Sequence, residues 1–175
     1  MKIILIGYMG SGKTTVGSLL APKLNLVFKD LDTEIERREK MSISELFDKK
    51  GEIYFRKLEM HVVKELLGTN ESFVLATGGG TPCYGDTMNS MLNTEDALVI
   101  YLRGTVNYLL ERLKNEKEKR PLLAHLTTEL QLKEWIGIHL FERSQFYNKA
   151  HHIISIDSKN VRQIVDEIIE KIILK

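Results

Sequence analysis

Gly7, Gly10 and Gly12 lead directly into Lys13, and two hydroxyl side chains, Thr14 and Thr15, follow it. The stretch from Gly7 to Thr14 fits the pattern G-x-x-x-x-G-K-[ST], whose chemistry is the cradling of phosphate. Glycines let successive backbone N–H groups turn inward around an anion where a Cβ would obstruct them. Lys13 can reach β- and γ-phosphates as a mobile point charge, and the Thr14 hydroxyl suits a magnesium ion. Two carboxylates, Asp30 and Asp32, and a run of three glycines, Gly78, Gly79 and Gly80, are the other residues whose types and crowding suggest a site.

Each of these groups needs an element to position it. The apolar run Ile3 to Ile6 ahead of the first motif reads as a buried strand, and Val16 to Ala21 behind it as a helix. The N-terminus of that helix adds unsatisfied N–H groups and the positive end of its dipole to the phosphate site. Leu26-Val27-Phe28 is a second short apolar run, ending in Asp30 and Asp32; helical spacing resumes through Ile35. Ser42 or Ser44 can cap a further helix carrying Leu46 and Phe47; Gly51 interrupts it, and Phe55 to Leu67 continue to a stop at Gly68. Phe73 to Ala76 and Ala97 to Leu102 read as strands three and four, Glu129 to Tyr147 as a helix, Ile153 to Ile156 as strand five, and Val161 to Ile173 as a closing helix. The charged stretch from Lys114 to Arg120, ahead of Pro121, reads as a mobile excursion that folds over a ligand. Near-continuous apolar strands alternating with helices predict an α/β fold of three layers, with a five-stranded parallel sheet covered on both faces. Ligands of such sheets bind beyond the carboxyl ends of the strands, and the three unusual groups all fall there.

At 175 residues the chain is expected to form one domain spanning 1–175, large enough to bury its own core. Lys plus Arg number 25 against 24 for Asp plus Glu, so no net field favours nucleic acid or an anionic membrane. A single cysteine, Cys83, excludes an internal disulfide framework and suits a reducing compartment. The five histidines, His61, His125, His139, His151 and His152, lack metal-ligand spacing. No apolar run approaches the ~20 residues of a membrane span, and the first strand leaves no room for a signal peptide. A cytoplasmic enzyme is the expectation.

The chain resembles the shikimate kinases, small P-loop kinases related to nucleoside monophosphate kinases. The resemblance covers nearly its whole length. It is carried by Gly7 to Thr15, Asp30-Leu31-Asp32, Gly51-Glu52 leading to Phe55-Arg56, Thr77-Gly78-Gly79-Gly80, Arg120-Pro121-Leu122-Leu123, and Glu142-Arg143 with Tyr147. It implies a P-loop NTPase fold with a mobile lid at about 112–125 and a substrate-binding helical region at about 32–60. It also implies ATP-dependent phosphorylation of the 3-hydroxyl of shikimate by a magnesium-dependent monomer. Gly10, Ser11, Gly12, Lys13, Thr14, Thr15, Arg112 and Arg120 are then the expected ATP-binding residues, with Arg112 on the adenine. Asp32, Arg56, Gly78, Gly79, Gly80 and Arg143 are the expected substrate-binding residues. Arg56 and Arg143 grip the carboxylate, a task suited to a planar guanidinium. Lys13, Asp32 and Arg120 are the expected catalytic residues, and Thr14, with Asp30 through water, holds the metal.

Blander readings stand beside these. Asp30 and Asp32 in isolation fit solvated turn residues equally well, and only their place on the rim favours a role. Arg56 and Glu59, three apart on a helix, fit an ordinary surface pair, although the favoured reading is a carboxylate that orients a guanidinium. Cys83 reads as a bystander, Trp135 as packing, and Tyr8 and Met9 as lining the substrate side. A gluconate kinase would also need carboxylate recognition, but Asp32, Phe55-Arg56 and the glycine triplet match the shikimate pattern better. A non-catalytic nucleotide-binding regulator is expected to lack Lys13, Asp32 or Arg120, and all three are present.

Overall fold

A computed structural model describes residues 1–114, 123 and 126–173. Five strands, β1 (Lys2–Ile6), β2 (Val27–Asp30), β3 (Phe73–Ala76), β4 (Ala97–Arg103) and β5 (His152–Ser155), form one sheet in the order β2-β3-β1-β4-β5. Every pairing is parallel. The central strands β1 and β3 are buried along their whole length, which is why they read as unbroken apolar runs.

Side-chain alternation divides the core into two layers. Ile3 and Leu5 of β1 face α1 (Lys13–Lys23) and α7 (Val161–Ile173), packing with Val16, Leu20, Ile164 and Ile168. Ile4 and Ile6 face the opposite way, into a core that includes Leu31 and Ile35 of α2 (Leu31–Glu39) and Val62 and Leu66 of α3 (Ile43–Gly68). Leu132 and Ile136 of α6 (Glu129–Tyr147) and Leu109 of α5 (Val106–Leu113) complete that layer. The fold is therefore the three-layer α/β arrangement expected, and among the described helices none is long and apolar enough to cross a membrane.

Two local expectations shift. The edge strands begin and end differently from the apolar runs: β2 includes Lys29 and Asp30 and leaves out Leu26, while β5 starts at His152 and ends before Ile156. Both are exposed on one side, with Val27 at 62% and Ile153 at 37%, so pairing with the neighbour sets their limits more than apolarity does. Missing from the expectation are a 3₁₀ turn at Thr81–Cys83 and a short helix, α4 (Thr87–Leu92), too brief for a readable period. Ser42 caps α3 in a reciprocal capping box with Glu45, and the helix kinks at Gly51, which is left-handed (φ 80°).

The topology sets the site. β3 lies between β2 and β1, with Asp30 level with Ala76 and Ala76 level with Leu5. Whatever follows the carboxyl ends of these three strands must share one rim. Ile4, fully buried in the central strand, should be costly to truncate: Ile4→Ala is expected to lower the free energy of unfolding by about 3 kcal/mol, read from urea denaturation.

Candidate active site

The loop after β1 turns at Gly10 (φ 78°) and Gly12 (φ 87°), both left-handed, and Gly12 is the N-cap of α1. Lys13 is 8% exposed, and its ammonium lies across the loop, donating to the carbonyls of Gly7 at 2.8 Å and Tyr8 at 3.0 Å. Ser11 is buried within the loop, whereas Thr14 and Thr15 open towards solvent. Gly10, Gly12, Lys13, Thr14 and Thr15 line a polar cleft of about 240 Å³ together with Met9, Asp30, Asp32, Thr77, Gly78, Gly79 and Arg112.

Asp30 is the joint between β2 and α2. Its Oδ1 caps α2 by accepting from the Asp32 N–H at 3.1 Å, and its Oδ2 accepts from the Thr14 hydroxyl at 2.8 Å. The cap fixes Asp32 in the first turn of the helix, beside Gly78. Asp32 is open on the cleft side but hemmed in by protein elsewhere. That loss of solvent, reinforced by the charges of Asp30 and Glu59 and opposed by Lys13, pushes its carboxyl up to about 6.

The glycine triplet is narrow for a reason visible at each residue. A Cβ on Gly79 would stand 3.1 Å from the Met9 nitrogen, and one on Gly80 would stand 2.9 Å from Arg56 Nη1. Arg56 reaches this loop from α3, its guanidinium held by Glu59 at 2.6 Å and stacked on the Tyr84 ring at 4.4 Å. Glu59 is 2% exposed and accepts from Thr81 Oγ1 at 2.6 Å with its second oxygen, so it ties α3 to the turn after the triplet. Spacing alone offered Arg56 and Glu59 as a pair; Thr81, the partner that completes the bridge, was missed, although it follows the triplet directly.

Arg143 stands outside the phosphate cleft, on α6, with its guanidinium 5.5 Å from the centre of the Tyr8 ring. One helical turn on, Tyr147 is fully buried and donates its hydroxyl to the Gly79 carbonyl. Arg112 of α5 comes within 3.9 Å of a Cβ placed on Gly12, and donates to the Tyr108 hydroxyl at 3.0 Å. Arg120 lies outside the described residues, as does most of the segment expected to form the lid.

A family model for shikimate kinase matches residues 9–173. This chain belongs to the shikimate kinase family. A shikimate kinase of Flavobacterium psychrophilum is 45% identical over 167 residues, covering 95% of this chain and 96% of the relative. The solved shikimate kinase of Bacteroides thetaiotaomicron superposes with a TM-score of 0.88 at 35% identity, over 98% of both chains. That of Acinetobacter baumannii, in complex with shikimate, gives 0.85 at 35% identity, over 98% of this chain and 92% of the other.

In this member of the shikimate kinase family, Thr14 Oγ1 and the Asp30 carboxylate offer hard oxygens within 2.8 Å of each other, a donor set that fits magnesium. Cys83 lies near both Arg56 and Arg143, yet burial pushes its thiol up to about 11, so it stays protonated at neutral pH. A wider groove of about 410 Å³ runs along the outer side of Arg56, past Ile53, Met60 and Tyr84, but its apolar walls offer little to a phosphate.

The raised Asp32 carboxyl makes a prediction about stability. Below its ordinary value of 3.8 the group is neutral folded and unfolded alike, and above about 6 the folded state alone bears the cost of the charge. Its contribution to stability therefore falls as pH rises between those values. Asp32→Asn is expected to melt at a higher temperature than the parent at about pH 8, with the gap closing towards about pH 4. A gap that does not change with pH would contradict the assignment.

Proposed function

We propose that the chain transfers the γ-phosphoryl group of ATP to the 3-hydroxyl of shikimate, giving shikimate 3-phosphate on the route to chorismate and the aromatic amino acids. The observation that carries this reading is the meeting of Asp32 with Lys13 and the phosphate loop in one cleft, with the Arg56 guanidinium at its glycine-triplet wall. One kinase domain spanning 1–175 acts as a monomer in the cytoplasm, without nucleic acid or membrane. The balanced charge and the lone Cys83 support that placement.

Phosphoryl transfer through a loose transition state asks mainly for alignment and charge neutralisation. The loop amides at Gly10, Ser11 and Gly12, with the N-terminus of α1, receive the phosphates. Lys13 exchanges its two carbonyl partners for the β- and γ-oxygens. Asp32 accepts a hydrogen bond from the attacking hydroxyl, and a carboxyl pushed up to about 6 takes that proton more readily than an ordinary aspartate would. Arg56 and Arg143 hold the shikimate carboxylate, Glu59 fixes the plane of Arg56, and the Gly78 to Gly80 backbone lies against the ring. Arg112 supports the adenine. Arg120 meets the charge on the transferring group, the role that the family resemblance gives it. Thr14, with Asp30 through water, would hold magnesium, and the ion would supply charge neutralisation at the phosphate oxygens.

ADP release from ATP and magnesium is expected with shikimate and not with gluconate, AMP or buffer. Turnover with gluconate in place of shikimate would reassign Arg56 and Arg143; silence with every acceptor, with ATP still bound, would leave a regulator. Asp32→Ala should abolish turnover while ATP binding, read by calorimetry, stays within about threefold of the parent. Arg120→Ala should lower kcat by about a thousandfold or more, and unchanged turnover would remove it from the mechanism.

A further inference from the structure

The Tyr8 side chain takes no part in the chemistry above, yet it sits inside the phosphate loop and is 1% exposed. Its hydroxyl is buried and, among the described residues, has no hydrogen-bond partner, which is costly and calls for a reason. The ring supplies one. Its centre lies 5.5 Å from Arg143 Cζ, while Trp135, two helical turns before Arg143 on α6, meets it edge-on at 6.4 Å. Arg143 also meets the Tyr147 hydroxyl one helical turn on, and among the described residues no carboxylate forms a salt bridge with it.

The two arginines of the site both lie over aromatic rings, but Arg56 is also fixed by acids, donating to Glu59 at 2.6 Å and to Glu52 at 3.3 Å. A ring face attracts a guanidinium through its quadrupole and leaves the in-plane N–H groups unspent. Arginine loses considerable rotamer freedom when it grips a ligand, so a face that orders the side chain beforehand lowers the cost of binding. We infer that Tyr8 is a positioning residue for substrate: its ring face holds the Arg143 guanidinium ready for the shikimate carboxylate. This rests on the reading of Arg143 as a carboxylate ligand. The orphaned hydroxyl is then incidental, and the aromatic face is what the site uses.

The test is steady-state kinetics of Tyr8→Leu, Tyr8→Phe, Arg143→Lys and the double variant Tyr8→Leu/Arg143→Lys. Tyr8→Leu is expected to raise the KM for shikimate about tenfold while the KM for ATP and kcat stay within about twofold. Tyr8→Phe keeps the face and should keep both KM values within about twofold, with a Tm no lower than the parent's. In the Arg143→Lys background, Tyr8→Leu should add less than about twofold, because both act through one contact. If Arg143→Lys raises the KM for shikimate and Tyr8→Leu does not, the inference falls alone. If Arg143→Lys changes nothing, the carboxylate reading falls first. Equal losses in Tyr8→Phe and Tyr8→Leu would give the role to the hydroxyl and overturn it too. Should Tyr8→Leu not fold, the chain's single tryptophan, Trp135, provides a second readout. Shikimate is expected to shift its fluorescence in the parent and in Tyr8→Phe but not in Arg143→Lys, and an unresponsive parent would count against the inference.

Discussion

The parallel pairing of β3 with β2 on one side and β1 on the other holds Asp30, Ala76 and Leu5 level across three adjacent strands. Everything chemical in the molecule hangs from that alignment. A shift of one residue in any of the three would exchange the two faces of that strand and draw its rim group back from the others. The fully buried side chains of β1 and β3 make such a shift expensive, so the core fixes the site by fixing the register. The helices then act as brackets: α1 presents Lys13 and Thr14, α2 presents Asp32, and α3 brings Arg56 back to the glycine triplet.

Charge is concentrated where the brackets meet. The charges of Asp30 and Glu59 lie close enough to add to the cost of ionising Asp32, and Lys13 offsets part of it. Glu59 is made tolerable by two short hydrogen bonds, from Arg56 and Thr81, since a buried charge needs partners for both oxygens. The Asp32 carboxyl is pushed up instead, a perturbation of the kind found at functional sites.

Legibility in the sequence followed how tightly each residue is bound to one geometry. The phosphate loop was fully readable, because left-handed turns and close approach demand glycine at fixed spacing. Strand centres were readable for the same reason that they are buried. Edge strands slid by one to two residues, since half-exposed strands such as β2 carry little apolar signal and take their limits from a neighbour. The Glu59 bridge was half visible, as an i, i+3 pair on one helix; its other end, Thr81, is 22 residues away, and no local pattern joins them. The placement of Tyr8 against Arg143 was invisible for a similar reason, as it depends on how α6 packs against the loop.

The resting place of Lys13 bears on how nucleotide binding should look in heat as well as in affinity. Its ammonium already donates to the Gly7 and Tyr8 carbonyls in a site screened from water. A triphosphate therefore does not meet a bare cation; it displaces two main-chain oxygens from one. The binding enthalpy is then a difference, the ammonium's bonds to charged oxygens less its bonds to neutral carbonyls, so part of the gain is offset. The loop, relieved of its internal tie, gains freedom at the moment the ligand loses it. The internal bonds of the loop thus temper the heat of nucleotide binding.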